Sequence, residues 1–184
     1  MGFFDAAVVA ANERAIARRA EQGEQEPPPG WNDIAVSVPV EQVLWRTEHA
    51  AAALSNMVAN PNGFGFTIEL RWLEDPRRDP VGPHRRQAAQ VGLILADGRR
   101  LSSDRFARDP DMPALQVRGG SASSGGRYNQ ADSQYWVTLL PPPGPLAVTF
   151  AWPDQSVAVV EVSMDAELIR GAAARALRFW DEQP

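Results

Sequence analysis

The sequence predicts a mainly β protein: an antiparallel β-sandwich, of which the immunoglobulin-like type is one form, with a C-terminal α-helix packed on it and a helical N-terminal arm. Three observations point there. From Trp31 onward, apolar residues recur at every second position; turn residues interrupt that pattern at short intervals; and the strongest helical period of the body comes at its end. The 184 residues, 44% of them hydrophobic, suffice for one core, so residues 31–184 are expected to form one sandwich domain, with 1–30 as arm and linker.

In the arm, Phe4, Val8, Ala11 and Ala15 recur at spacings of three and four, which places them on one helical stripe, and Arg14, Arg18 and Arg19 suit the negative end of the dipole. The triple proline Pro27–Pro29 then ends the helix in an extended linker. An arm with an apolar stripe needs a surface to dock on, which makes Phe4, Val8 and Ala11 candidate interface residues.

In "IAVSVPV", Ile34, Val36, Val38 and Val40 share a face, and Pro39 marks an edge strand. The alternation is clearest in "FGFTIELRW", where Phe64, Phe66, Ile68, Leu70 and Trp72 point inward. Between them, the alanine-rich "TEHAAAALSNMVANPNG" suits either helix or strand, and the turn Asn60–Gly63 favours a hairpin. A loop follows through the basic pairs Arg77-Arg78 and Arg85-Arg86, and "QVGLILADGRRLSSD" reads as a second hairpin turning at Asp97-Gly98.

The serine- and glycine-rich stretch "RGGSASSGGR" is expected to be a flexible connection into the strand "QYWVTLL". Two more strands follow, "LAVTFAW" and "VAVVEVS". The closing helix starts at an Asp165 cap and carries the stripe Leu168, Ile169, Ala172, Ala176, Phe179 and Trp180, with Gly171 explained by a close approach to the sheet.

Composition removes several chemistries. All 18 basic residues are arginine and there is no cysteine, so Schiff-base lysines, the Walker A loop, thiolate nucleophiles and cysteine-based zinc sites are excluded. Net charge by thirds of the chain runs −5, +4 and −4, and the acids interleaved in the basic middle argue against nucleic acid as a partner. No stretch approaches the length of a membrane span and no signal peptide is evident, which places the chain in the cytoplasm, away from membranes.

No metal-ligand spacing joins His49 or His84 to other ligands, and no cofactor motif is present. The glycine stretch opens onto a strand instead of a helix, the wrong context for a dinucleotide cradle. Arg118 and Arg127 flank it and, with Arg77, Arg78, Arg85 and Arg86, are the candidate anion-binding residues. Trp136 lies opposite the apolar face of its strand, either exposed or covered by the helix, which makes it a further candidate for an interface.

The segments "NPNGFGFTIELR", "GGSASSGGR", "YWVTLLPPPGPLAVTFAWP" and "DAELIRGAAARALRFW" resemble a group of actinobacterial proteins. The resemblance covers most of residues 34–180 and implies a shared β-rich fold, with no activity attached to it. The function expected from the sequence is therefore a non-enzymatic interaction module that contacts a protein partner or itself as a homo-oligomer, through sheet edges or the arm. The alternative is an anion-binding protein or enzyme using the Gly/Ser segment and its arginines.

Overall fold

The structure, a computed structural model, describes residues 32–73, 89–103 and 115–181. The arm with Phe4, Val8 and Ala11, and the pairs Arg77-Arg78 and Arg85-Arg86, lie outside the described residues.

The protein is mainly β, and among the described residues every strand pairing is antiparallel. Among the described residues there are two main sheets and a separate two-stranded pair; the larger main sheet has six strands. The short β1 (Asp33–Ile34) precedes β2 (Val36–Ser37), and β2 and β3 (Gln42–Arg46) share one edge of β4 (Ala50–Asn60). Beyond β4 lies β5 (Gly63–Leu73). The smaller sheet has four strands; two of them are the hairpin β6 (Gln90–Ile94) and β7 (Arg100–Ser102). Next in the chain come β8 (Leu115–Gly125) and β9 (Tyr128–Val137), which complete the larger sheet in the order β2-β4-β5-β9-β8. Then β10 (Pro145–Trp152) and β11 (Val157–Asp165) complete the smaller one as β11-β10-β6-β7.

The alternation seen in the sequence fixes which faces meet. Phe64, Phe66, Ile68 and Leu70 of β5, Val91 and Leu93 of β6, and Leu146, Val148, Phe150 and Trp152 of β10 are all buried in one hydrophobic cluster that draws on both sheets. At one end of it Trp152 meets Trp72 of β5 edge-on at 5.6 Å and Trp45 of β3 edge-on at 6.4 Å, so indole rings tie the sheets together. The alanine-rich segment resolves as strand β4, and its Asn60–Gly63 turn pairs it with β5. Residues 34–40 form no single strand. Their two short pieces have different partners, β2 on β4 and β1 on the C-terminal tail, while Val38 is buried and Pro39 exposed.

The C-terminal helix is shorter than its period predicts. Helix α1 spans Ala166–Ala173, with Asp165 Oδ1 accepting from the Glu167 N–H at 2.9 Å, as an N-cap does. Ala166, Ile169, Ala172 and Ala173 are buried, and the helix lies against β4, β2 and β5. It ends in tight turns in which Arg175 and Ala176 donate to the carbonyls three residues back. Leu177–Arg178 then form β12, which pairs with β1. Phe179 and Trp180, expected on the buried stripe, are exposed, as is Leu168. They follow β12 because Asn32 holds the tail: its carbonyl accepts from Phe179 N–H, and its amide both accepts from Trp180 N–H and donates to Trp180 C=O. Gly171 makes no close approach to the sheet; a Cβ there would meet only the Arg175 guanidinium.

Candidate functional site

The serine- and glycine-rich stretch is not a loop. Residues 115–125 run as strand β8, paired with β9 from Leu115↔Val137 to Gly125↔Tyr128. The turn is only Gly126–Arg127, with Gly126 at φ 66°, the backbone that a glycine-first two-residue hairpin needs. Glycine and serine have little intrinsic strand preference, so β8 is extended because β9, itself paired with β5, supplies the ladder.

This hairpin closes on the pair Gly125↔Tyr128, and the antiparallel alternation then assigns every backbone group. Ser123 and Ser121 exchange bonds with Gln130 and Asp132. Ser124, Ala122 and Gly120 turn their N–H and C=O groups away from β9, toward the outer edge. Among the described residues no strand occupies that edge. Gly120 to Gly125 are exposed, and Gly119–Gly125 contains neither a charge nor a proline.

Among the described residues, the other edges of the two main sheets are protected in familiar ways. Strand β7 is three residues long, β11 carries Glu161 and Asp165, and the rim formed by β2 and β3 is broken around Pro39. At the start of β8 a bulge between Val117 and Gly119 throws Arg118 out of register. Its guanidinium lies 4.7 Å from the centre of the Trp136 ring. Below, the indole lies across Gly65 of β5, where a Cβ would come within 2.7 Å of Trp136 Cε3. Trp136 is thus half-buried with Arg118 over its ring, not left as a bare stacking platform.

Beside β8, the outer face of the larger sheet holds a polar groove of about 340 Å³ lined by Asn56, Thr67, Glu69, Arg71, Gly120, Ser121, Asp132 and Gln134. Arg71 stands at its centre, with Nη1 at 2.8 Å from Asp132 Oδ1 and Nη2 at 2.9 Å from Glu69 Oε2. Ser121 Oγ donates to Asp132 Oδ2 at 3.1 Å, and Ser55 Oγ donates to Glu69 Oε1. The network is internally neutralised except for one negative charge, so it fixes β8, β9 and β5 to one another more than it invites an ion.

The hydrogen bond from Arg71 holds the Asp132 carboxyl below its ordinary pKa, helped by the Ser121 hydroxyl. A carboxyl lowered on folding contributes stability above its unfolded pKa and loses it as pH falls through the folded one. Asp132→Asn is therefore expected to be less stable than the parent near neutral pH, by no more than about 1 kcal/mol because the pair is partly exposed. That difference should shrink on acidification in urea titrations; a deficit that persists in acid would contradict it.

Of the six anion candidates only Arg118 and Arg127 lie among the described residues, and these two are apart. Arg118 is engaged with Trp136, and Arg127 sits at the hairpin tip, roughly 25 Å further along the strand. Ser121, Ser123 and Ser124 lie on β8, and the exposed His49 is in the turn between β3 and β4. Asp132 pairs with Arg71, whereas Asp154 belongs to the 3₁₀ turn after β10, in the other sheet. Among the described residues no cluster of His, Asp and Glu could hold a metal, and no helix is long and apolar enough to cross a membrane.

No protein-family model, curated protein or solved structure matches the chain.

Proposed function

We propose that this domain is a protein-interaction module, without catalysis of its own, that accepts a further β-strand from another polypeptide along β8. In this reading the two sheets are the layers of a sandwich. The shared core and the indole contacts at Trp152 support that arrangement. The sandwich is the rigid scaffold, and the β8 rim is its working part.

One observation carries the proposal: beyond the Arg118 bulge, the exposed edge from Gly119 to Gly125 has none of the devices that keep sheet edges from pairing. Strand addition draws its affinity from main-chain hydrogen bonds, each contributing about 1 kcal/mol net. Gly120, Ala122 and Ser124 present the donors and acceptors for it. The small side chains of Gly119–Gly125 keep the approach open on both faces.

Ala122→Pro isolates this edge, because it removes an N–H that points outward while the ladder to β9 stays intact. In a display selection of extended peptides against the full chain, peptides are expected to be enriched that bind the parent and lose binding to Ala122→Pro. Circular dichroism should show the same fold for both proteins. Failure to enrich any peptide that separates the two would overturn the proposal.

A further inference from the structure

We infer that the strand added at β8 is the β8 of a second copy of this chain, paired antiparallel about a two-fold axis at Ala122. This rests on the edge-pairing reading above and names its occupant.

The outward-facing set is symmetric about its own middle. Gly120, Ala122 and Ser124 lie two residues apart, so an antiparallel copy set with Ala122 opposite Ala122 brings Gly120 opposite Ser124 twice. Each of these three pairs can exchange both of its main-chain bonds, which gives about six hydrogen bonds from one self-complementary patch. The intervening residues agree with the same register. Ser121 of one copy falls opposite Ser123 of the other, and serine hydroxyls form favourable cross-strand pairs.

Charge and size also favour a second copy over an acidic or basic partner. The segment Gly119–Gly125 has no charged side chain with which to select an ionic partner, and none to repel its own image. Glycine, alanine and serine leave both faces unobstructed when two such strands meet. The pairing is bounded on one side by the Arg118 bulge and on the other by the Gly126–Arg127 turn. An interface of this length is small, so association should be weak and concentration-dependent.

The chain has no cysteine, which makes the register directly testable. In the proposed dimer the two Ala122 Cα atoms are about 5.5 Å apart, within disulfide range, whereas the two Ser124 Cα atoms are about 14 Å apart. Mild oxidation of the full chain carrying Ala122→Cys is expected to yield covalent dimer at least several-fold faster than the same chain carrying Ser124→Cys. Sedimentation of the cysteine-free parent should show a reversible monomer–dimer equilibrium that Ala122→Pro abolishes. Equal cross-linking at the two positions, or a parent that stays monomeric up to its solubility limit, would overturn the second copy as occupant. If edge-binding peptides are still enriched, that result leaves the strand-addition reading standing; if neither is seen, both fall.

Discussion

Trp152→Ala is expected to cost about 4 kcal/mol of folding stability. The indole is buried at the end of β10 and touches Trp45, Trp72 and Phe150, three rings from both sheets, each in an edge-on arrangement. Its loss removes the transfer free energy of a large side chain and leaves a cavity that two strands of the larger sheet cannot collapse to fill. It also removes aromatic pairs worth about 0.5–1.5 kcal/mol each. In a domain with about 5–15 kcal/mol in total, that is a large fraction of the margin. Urea unfolding followed by far-ultraviolet circular dichroism is the measurement, with Trp180→Ala as the comparison. Trp180 is 47% exposed, and its replacement should cost about 1 kcal/mol or less. Equal losses for the two would mean that the Trp152 cluster does not join the sheets as described.

Gly63→Ala is expected to cost about 3 kcal/mol or more, although it adds a single methyl group. Gly63 begins β5 at φ 154°, and a Cβ at that position would overlap the carbonyl oxygen of Val137 on β9. The obstructing atom is backbone at the end of β9, an inner strand of the larger sheet, so relief would require shifting main chain that is paired on both sides. Gly98→Ala separates the two contributions. Gly98 also has positive φ, at 84°, but nothing lies within 4 Å of an added Cβ, so only the left-handed conformation is penalised, by about 1–2 kcal/mol. Thermal unfolding of both variants should show the larger loss at Gly63; the reverse order would refute the close packing of β5 on β9.

The features that sequence alone made legible are those whose cause is local. Alternation in Phe64–Trp72 and in Leu146–Trp152 identified the core faces, because burial on one side of a strand leaves a period of two. Asp97-Gly98 and Asn60–Gly63 marked their hairpins through turn chemistry. The misreadings share a different cause, pairing between distant segments. The helical period continues to Trp180, but α1 stops at Ala173 because Ile34 and Asp33 capture Leu177 and Arg178 in a ladder that no local pattern announces. The Gly/Ser stretch has the composition of a linker and becomes a strand because β9 templates it.

A signal for that hairpin was present: Gly126–Arg127 is a glycine-first two-residue turn, placed where Ser124 and Asn129 can face each other. The groove was less accessible to sequence reasoning. Glu69 and Arg71 are visible as outward residues of β5, but their union with Asp132 and Ser121 depends on the order β5-β9-β8, which follows from the three-dimensional register.

The clasp between Asn32 and Trp180 sets where the domain can be held. It brings the entry and exit of residues 32–181 to the same spot, and only Ala35 separates β1 of that clasp from β2, the rim of the larger sheet opposite β8. Four inter-strand steps, about 19 Å, lie between the two rims. A label, surface tether or fused protein attached at either end of this segment therefore sits on the far border of the sheet, and the glycine-serine border stays free to meet its mate.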